Sequence, residues 1–97
     1  IGNQKQGVVK TFGLQQNYPN PFNPTTRISF VPERSGLATL TVYNVSGQKI
    51  STLFSGRVNK GVPYKFNFDG KNLAAGLYFY RLQTGNTAQV KKMMLIK

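Results

Sequence analysis

The sequence predicts an all-β chain: an antiparallel, immunoglobulin-like β-sandwich of about seven strands. Ten Gly and five Pro punctuate the 97 residues, and helix interiors tolerate neither residue well. Between the punctuation lie short runs that alternate apolar and polar positions and are rich in β-branched and aromatic side chains. Turn signals recur about every 8–12 residues, the spacing of a sandwich domain. The length suits one domain and leaves no room for a second core.

Residues 1–11 carry little apolar content beyond Ile1, Val8 and Val9 and read as a linker, or as part of a first edge strand near 8–14. Residues 27–31 alternate, with Ile28 and Phe30 on one face. Over 38–44, Ala38, Leu40 and Val42 oppose Thr39, Thr41 and Tyr43. The turn Asn44-Val45-Ser46-Gly47 follows, with Gly47 able to supply a positive φ, and leads into a strand over 48–54. Over 64–68, Tyr64, Phe66 and Phe68 share a face opposite Lys65 and Asn67. Over 77–84, Tyr78, Tyr80 and Leu82 oppose Leu77, Phe79 and Arg81. Gly85-Asn86 is a two-residue hairpin signal leading to 88–96. That last run also fits helical spacing through Val90, Met93, Met94 and Lys97, but the hairpin and the β-rich context favour a strand.

Two segments stand apart. In 17–26, Pro19, Pro21 and Pro24 fix φ and push Tyr18, Asn20 and Asn23 toward extended geometry. A stiff, extended entry to the domain is expected, anchored by Tyr18 and Phe22, or else presented as a recognition segment. The run Leu73-Ala74-Ala75-Gly76-Leu77-Tyr78 looks like the approach to a tyrosine corner, in which the Tyr78 hydroxyl turns back to upstream backbone and Gly76 supplies the tight entry.

Composition excludes whole classes of function. There is no His, Cys or Trp, and the only carboxylate side chains are Glu33 and Asp69. Acid–base catalysis relies mostly on His or paired carboxylates, zinc on Cys and His, and calcium on several carboxylate oxygens. No enzyme activity, cofactor or metal is expected, and no disulfide can form. No run approaches the roughly 18 apolar residues of a membrane helix. Thirteen Lys and Arg give a net charge of +11, which suits an acidic partner, an acidic surface polysaccharide among them. The bases are scattered, with Lys91 and Lys92 the one adjacent pair, so nucleic acid is the poorer fit. Tyr43 and Phe79 fall opposite the core positions and are the candidate exposed aromatics.

Four blocks in order resemble a known family. Leu14-x-Gln16-Asn17-Tyr18-Pro19-Asn20-Pro21-Phe22-Asn23-Pro24-Thr25-Thr26, followed by Ile28 and Phe30, looks like the opening of the type A C-terminal sorting domain of the type IX secretion system. Val42-Tyr43-Asn44 with Gly47-Gln48 resembles its middle block. Leu73, Gly76 and Tyr78 with Leu82 resemble the third, and Lys92-Met93-x-Leu95-x-Lys97 the last. The resemblance spans 12–97, and such domains are also similar in appearance to the immunoglobulin-like domain of flagellar hook-capping proteins. It implies a non-catalytic signal that takes a parent protein from the periplasm through an outer-membrane translocon. A sortase-like peptidase then removes the domain in many members, and the passenger is secreted or held at the cell surface. On this reading the recognition residues are Asn17, Tyr18, Pro19, Asn20, Pro21, Phe22, Asn23, Pro24, Lys91, Lys92, Met93, Leu95 and Lys97, with Gly47, Gly76 and Tyr78 structural. The last strand, 90–97, is the expected contact surface: an edge strand can offer backbone hydrogen bonds, and its lysines can steer toward an acidic face. The other reading is an accessory carbohydrate- or surface-binding module of a secreted enzyme.

Overall fold

A computed structural model describes residues 11–97. Seven strands follow one another: β1 (Gly13–Leu14), β2 (Thr25–Val31), β3 (Gly36–Asn44), β4 (Lys49–Val58), β5 (Tyr64–Asp69), β6 (Gly76–Thr84) and β7 (Thr87–Leu95). They form two antiparallel sheets, one ordered β1-β2-β5 and the other β4-β3-β6-β7. This is the expected sandwich. Of the expected linker, only Thr11 is among the described residues; of the strand near 8–14, Gly13 and Leu14 form β1, and 8–10 lie outside them.

Alternation decides which side chains meet between the sheets. Ile28 and Phe30 from β2, Ala38, Leu40 and Val42 from β3, and Tyr78, Tyr80 and Leu82 from β6 are all buried. Met93 and Leu95 complete the core from β7, settling the last run as a strand at the edge of its sheet. Phe30 is the hub of an aromatic cluster: its ring stacks on Tyr64 with centroids 5.4 Å apart and on Phe66 at 6.1 Å, and it meets Phe54 of the opposite sheet at 6.4 Å. Such pairs add about 0.5–1.5 kcal/mol each beyond the area they bury.

β4 runs on to Val58, beyond the expected end at Phe54. Ser55-Gly56 has the composition of a turn, yet Gly56 pairs with Ala38 and Val58 with Gly36, so cross-strand pairing overrides local preference. The Phe54 ring lies over Gly56, 3.4 Å from where a Cβ would stand. Register shifts between Leu40 and Thr41 and between Val42 and Tyr43 leave Leu53 and Ile50 unmatched on β4, and both pack against the core.

The β3–β4 turn forms as its sequence predicts. Asn44 Oδ1 accepts the N–H groups of Ser46 and Gln48, both at 3.0 Å, and Gly47 takes φ 81°. The tyrosine corner forms too: the Tyr78 hydroxyl donates to the Ala74 carbonyl at 2.7 Å, and Gly76 enters β6 at φ 145°.

Candidate recognition site

The segment between β1 and β2 does not run extended. Tyr18 and Arg27 exchange both backbone hydrogen bonds, at 3.0 and 2.9 Å, so the intervening residues form a closed loop. Beneath it lies a polar network. Asn17, 2% exposed, donates its side-chain amide to Thr26 Oγ1 at 3.0 Å and to the Pro19 carbonyl at 3.1 Å. The Thr26 hydroxyl donates to the same carbonyl at 2.8 Å. A buried polar group is tolerated when it is paired in this way.

The loop is tied to the larger sheet by the Tyr80 hydroxyl, which accepts the Asn17 backbone N–H at 2.8 Å and donates to the Gln15 carbonyl at 2.7 Å. Burial disfavours the phenolate and pushes the Tyr80 hydroxyl up to about 12, against the opposing pull of the Asn17 N–H. Sequence reasoning placed Tyr80 in the core and missed this role. The available signal was the residue type: a tyrosine at a fully buried strand position must find a partner for its hydroxyl.

The expected pair of anchors divides. Phe22 is 1% exposed and meets Phe68 edge to face at 6.1 Å, whereas Tyr18 is 81% exposed and anchors nothing. Two adjacent features explain the difference. Phe22 drops over the end of the sandwich beside Leu95, while Tyr18 is bridged to Arg27 on the outward face of β2. Gly70 makes room for the Phe22 side: a Cβ there would stand 2.9 Å from Leu95 Cδ2 and 3.4 Å from the Phe22 ring. Its N–H is held by the Pro24 carbonyl at 2.8 Å and its carbonyl accepts the Leu73 N–H at 2.9 Å, so Gly70 is both a packing position and the start of a turn.

The first and last sequence blocks meet. The Phe22 N–H donates to the Met94 carbonyl at 2.9 Å, and the Ile96 N–H donates to the Phe22 carbonyl at 2.8 Å, a parallel bridge on the outer edge of β7. The Met94 N–H donates to Asn20 Oδ1 at 3.0 Å, and Gln16 Nε2 donates to the Lys92 carbonyl at 2.9 Å. The edge from Lys92 onward is therefore clasped by the proline-rich loop. Over 87–91 no strand pairs with the outer edge, although β1 lies against it through the Leu14 N–H, which donates to Gln89 Oε1 at 3.0 Å. Met93 and Leu95 face inward as core residues. Lys91 and Lys92 point to opposite faces, and Lys97 Nζ donates to the Lys71 carbonyl at 2.7 Å, so the three lysines do not share one face. Asn20, Pro19, Pro21 and Asn23 lie exposed on the loop.

Among the described residues, no group of three or more His, Cys, Asp or Glu could hold a metal ion, and no helix is long and apolar enough to cross a membrane. The molecule is thus a two-sheet sandwich with a proline-rich clasp on its last strand. The chain belongs to the secretion system C-terminal sorting domain family, which matches residues 16–97. Comparison with curated proteins and with solved structures returned no match. Membership makes the domain a sorting signal recognised by the type IX secretion machinery, and places the protein that carries it among secreted or cell-surface proteins. The family is one of signals rather than catalysts.

Proposed function

We propose that the machinery reads the joint between the proline-rich loop and the last strand, and not either segment alone. The observation that carries this is the pair of hydrogen bonds from Phe22 to Met94 and from Ile96 to Phe22, which welds the two sequence blocks into one surface. On this reading the domain is a non-catalytic unit over 12–97 that takes its parent from the periplasm through an outer-membrane translocon. A sortase-like peptidase then removes it, leaving the passenger released or surface-attached. Over 87–91 the β7 edge is flanked by β1 through the Leu14–Gln89 hydrogen bond but pairs with no strand, so its backbone groups remain for strand addition. Lys91 and Lys92, on opposite faces, add positive charge that attracts an acidic partner.

Deleting the last residues is a poor test, because it removes Met93 and Leu95 from the core as well as the surface. The better one compares export of a reporter fused ahead of the intact domain with export of Lys91→Glu/Lys92→Glu and Asn20→Ala variants, each checked for folding by circular dichroism. Accumulation of folded variant reporter in the periplasm is the expected result. Full export of both folded variants rejects the reading.

A further inference from the structure

The outward face of the three-stranded sheet holds an open trough of about 620 Å³. Its walls are Tyr18, Arg27, Lys65, Asn67, Ser29 and Thr25. Antiparallel register places Arg27 opposite Asn67 and Ser29 opposite Lys65, so the two cations are diagonal neighbours, about 7–8 Å apart at the backbone. Neither the Arg27 nor the Lys65 side chain has an ion-pair or hydrogen-bond partner among the described residues, and the Tyr18 hydroxyl likewise has none. The one acid on this face, Asp69, stands opposite Thr25 and is the other diagonal neighbour of Arg27, but it makes no ion pair with it, and its Oδ1 accepts the Lys71 N–H at 2.9 Å.

We propose that this trough binds an acidic polysaccharide, a polymer of sugars bearing carboxylates. An exposed aromatic ring offers a flat surface for the C–H face of a sugar. The guanidinium and ammonium pair with carboxylates, and the amide and hydroxyls meet sugar hydroxyls. Tyr18 is preorganised for this, since both its backbone groups are bonded to Arg27 and the loop beneath it is locked by Asn17 and Thr26. Preorganisation removes much of the ordering cost of binding. Protein docking suits the trough less well: only Tyr18 and Pro19 among its lining residues are apolar or aromatic, and its two cations, Arg27 and Lys65, are unpaired. A β-strand partner would need a free edge, and the trough lies over the face of β2. The net charge of +11 raises the encounter rate with any polyanion, but the pairing with Tyr18 is local. The proposal stands apart from the sorting role, and its failure leaves that role untouched.

The test is calorimetric titration of the chain with polygalacturonate, dextran and a thymidine oligonucleotide. Polygalacturonate is expected to bind and dextran not to. Tyr18→Ala should weaken binding by about tenfold, equivalent to about 1.4 kcal/mol, and Arg27→Gln/Lys65→Gln should weaken it further. A control pair on β4, Lys49→Gln/Arg57→Gln, removes the same charge and should weaken binding less than about threefold. All four positions of the paired variants, and Tyr18, are exposed, and thermal unfolding should confirm that the variants fold. Equal losses from trough and control pairs, or no effect of Tyr18→Ala, overturn the proposal in favour of bulk charge. Oligonucleotide binding as tight as polygalacturonate binding, with the same dependence on Tyr18, overturns it in favour of nucleic acid.

Discussion

Replacing Tyr80 with Phe keeps the buried ring and removes one oxygen. That oxygen accepts the Asn17 N–H and donates to the Gln15 carbonyl, with Tyr80 fully buried and Asn17 nearly so. The Asn17 N–H then has no acceptor, at a cost of about 1–3 kcal/mol, while the half-buried Gln15 carbonyl can turn to water and loses about 0.5–1 kcal/mol. The sum is about 1.5–4 kcal/mol, a large part of a small domain's stability, and corresponds to a fall in Tm of about 6–32 °C. Urea unfolding followed by far-ultraviolet circular dichroism measures it, with the m-value unchanged. A loss below about 0.5 kcal/mol at pH 7 refutes the latch. Alkaline pH gives a second check. The phenol titrates near 10.0 when unfolded and near 12 when folded, so its contribution is full below pH 10 and falls as pH rises toward 12. The slope reaches about 1.4 kcal/mol per pH unit. Tyr80→Phe lacks this loss, and every other titrating group is common to both proteins. The stability gap should therefore narrow between pH 10 and 12, and a gap that widened would refute the assignment.

Gly70→Ala should destabilise the fold by about 1–3 kcal/mol in thermal unfolding, because the new methyl enters the space of the buried Leu95 and Phe22 side chains. Tyr78→Phe should cost about 0.5–1.5 kcal/mol, the net worth of one hydrogen bond to Ala74, since Ala74 is exposed and water can take over its carbonyl. A Tyr78→Phe loss as large as that of Tyr80→Phe would contradict the difference between their partners, an exposed carbonyl for Tyr78 and a buried N–H for Tyr80.

The strands were legible because each obeys a local rule. Ala38, Leu40 and Val42 alternate with polar neighbours, as do Tyr78, Tyr80 and Leu82, and one face of such a strand must be buried. The β3–β4 turn and the tyrosine corner were legible for the same reason: Asn44, Gly47 and Tyr78 find their partners within four residues along the chain. What could not be read depends on distant partners. Residues 17–24 show stiffness, but nothing in them indicates that Phe22 will bond to Met94 and Ile96, or that Asn20 will accept from Met94 across 74 positions. The extension of β4 through Gly56 likewise depends on Ala38 lying opposite. The sequence blocks themselves were visible; their union into one surface was not, because its central pair of bonds is made by backbone groups common to all residues.

That union carries a consequence for how a cell could tell a finished cargo from a damaged one. On the proposed reading the address is written half near one end of the domain and half near the other, joined by the bonds between Phe22 and the last strand. A signal read in that way is lost in any copy nicked, misfolded or cut short between the two halves, so that reading the joint would double as an inspection that the whole domain is intact.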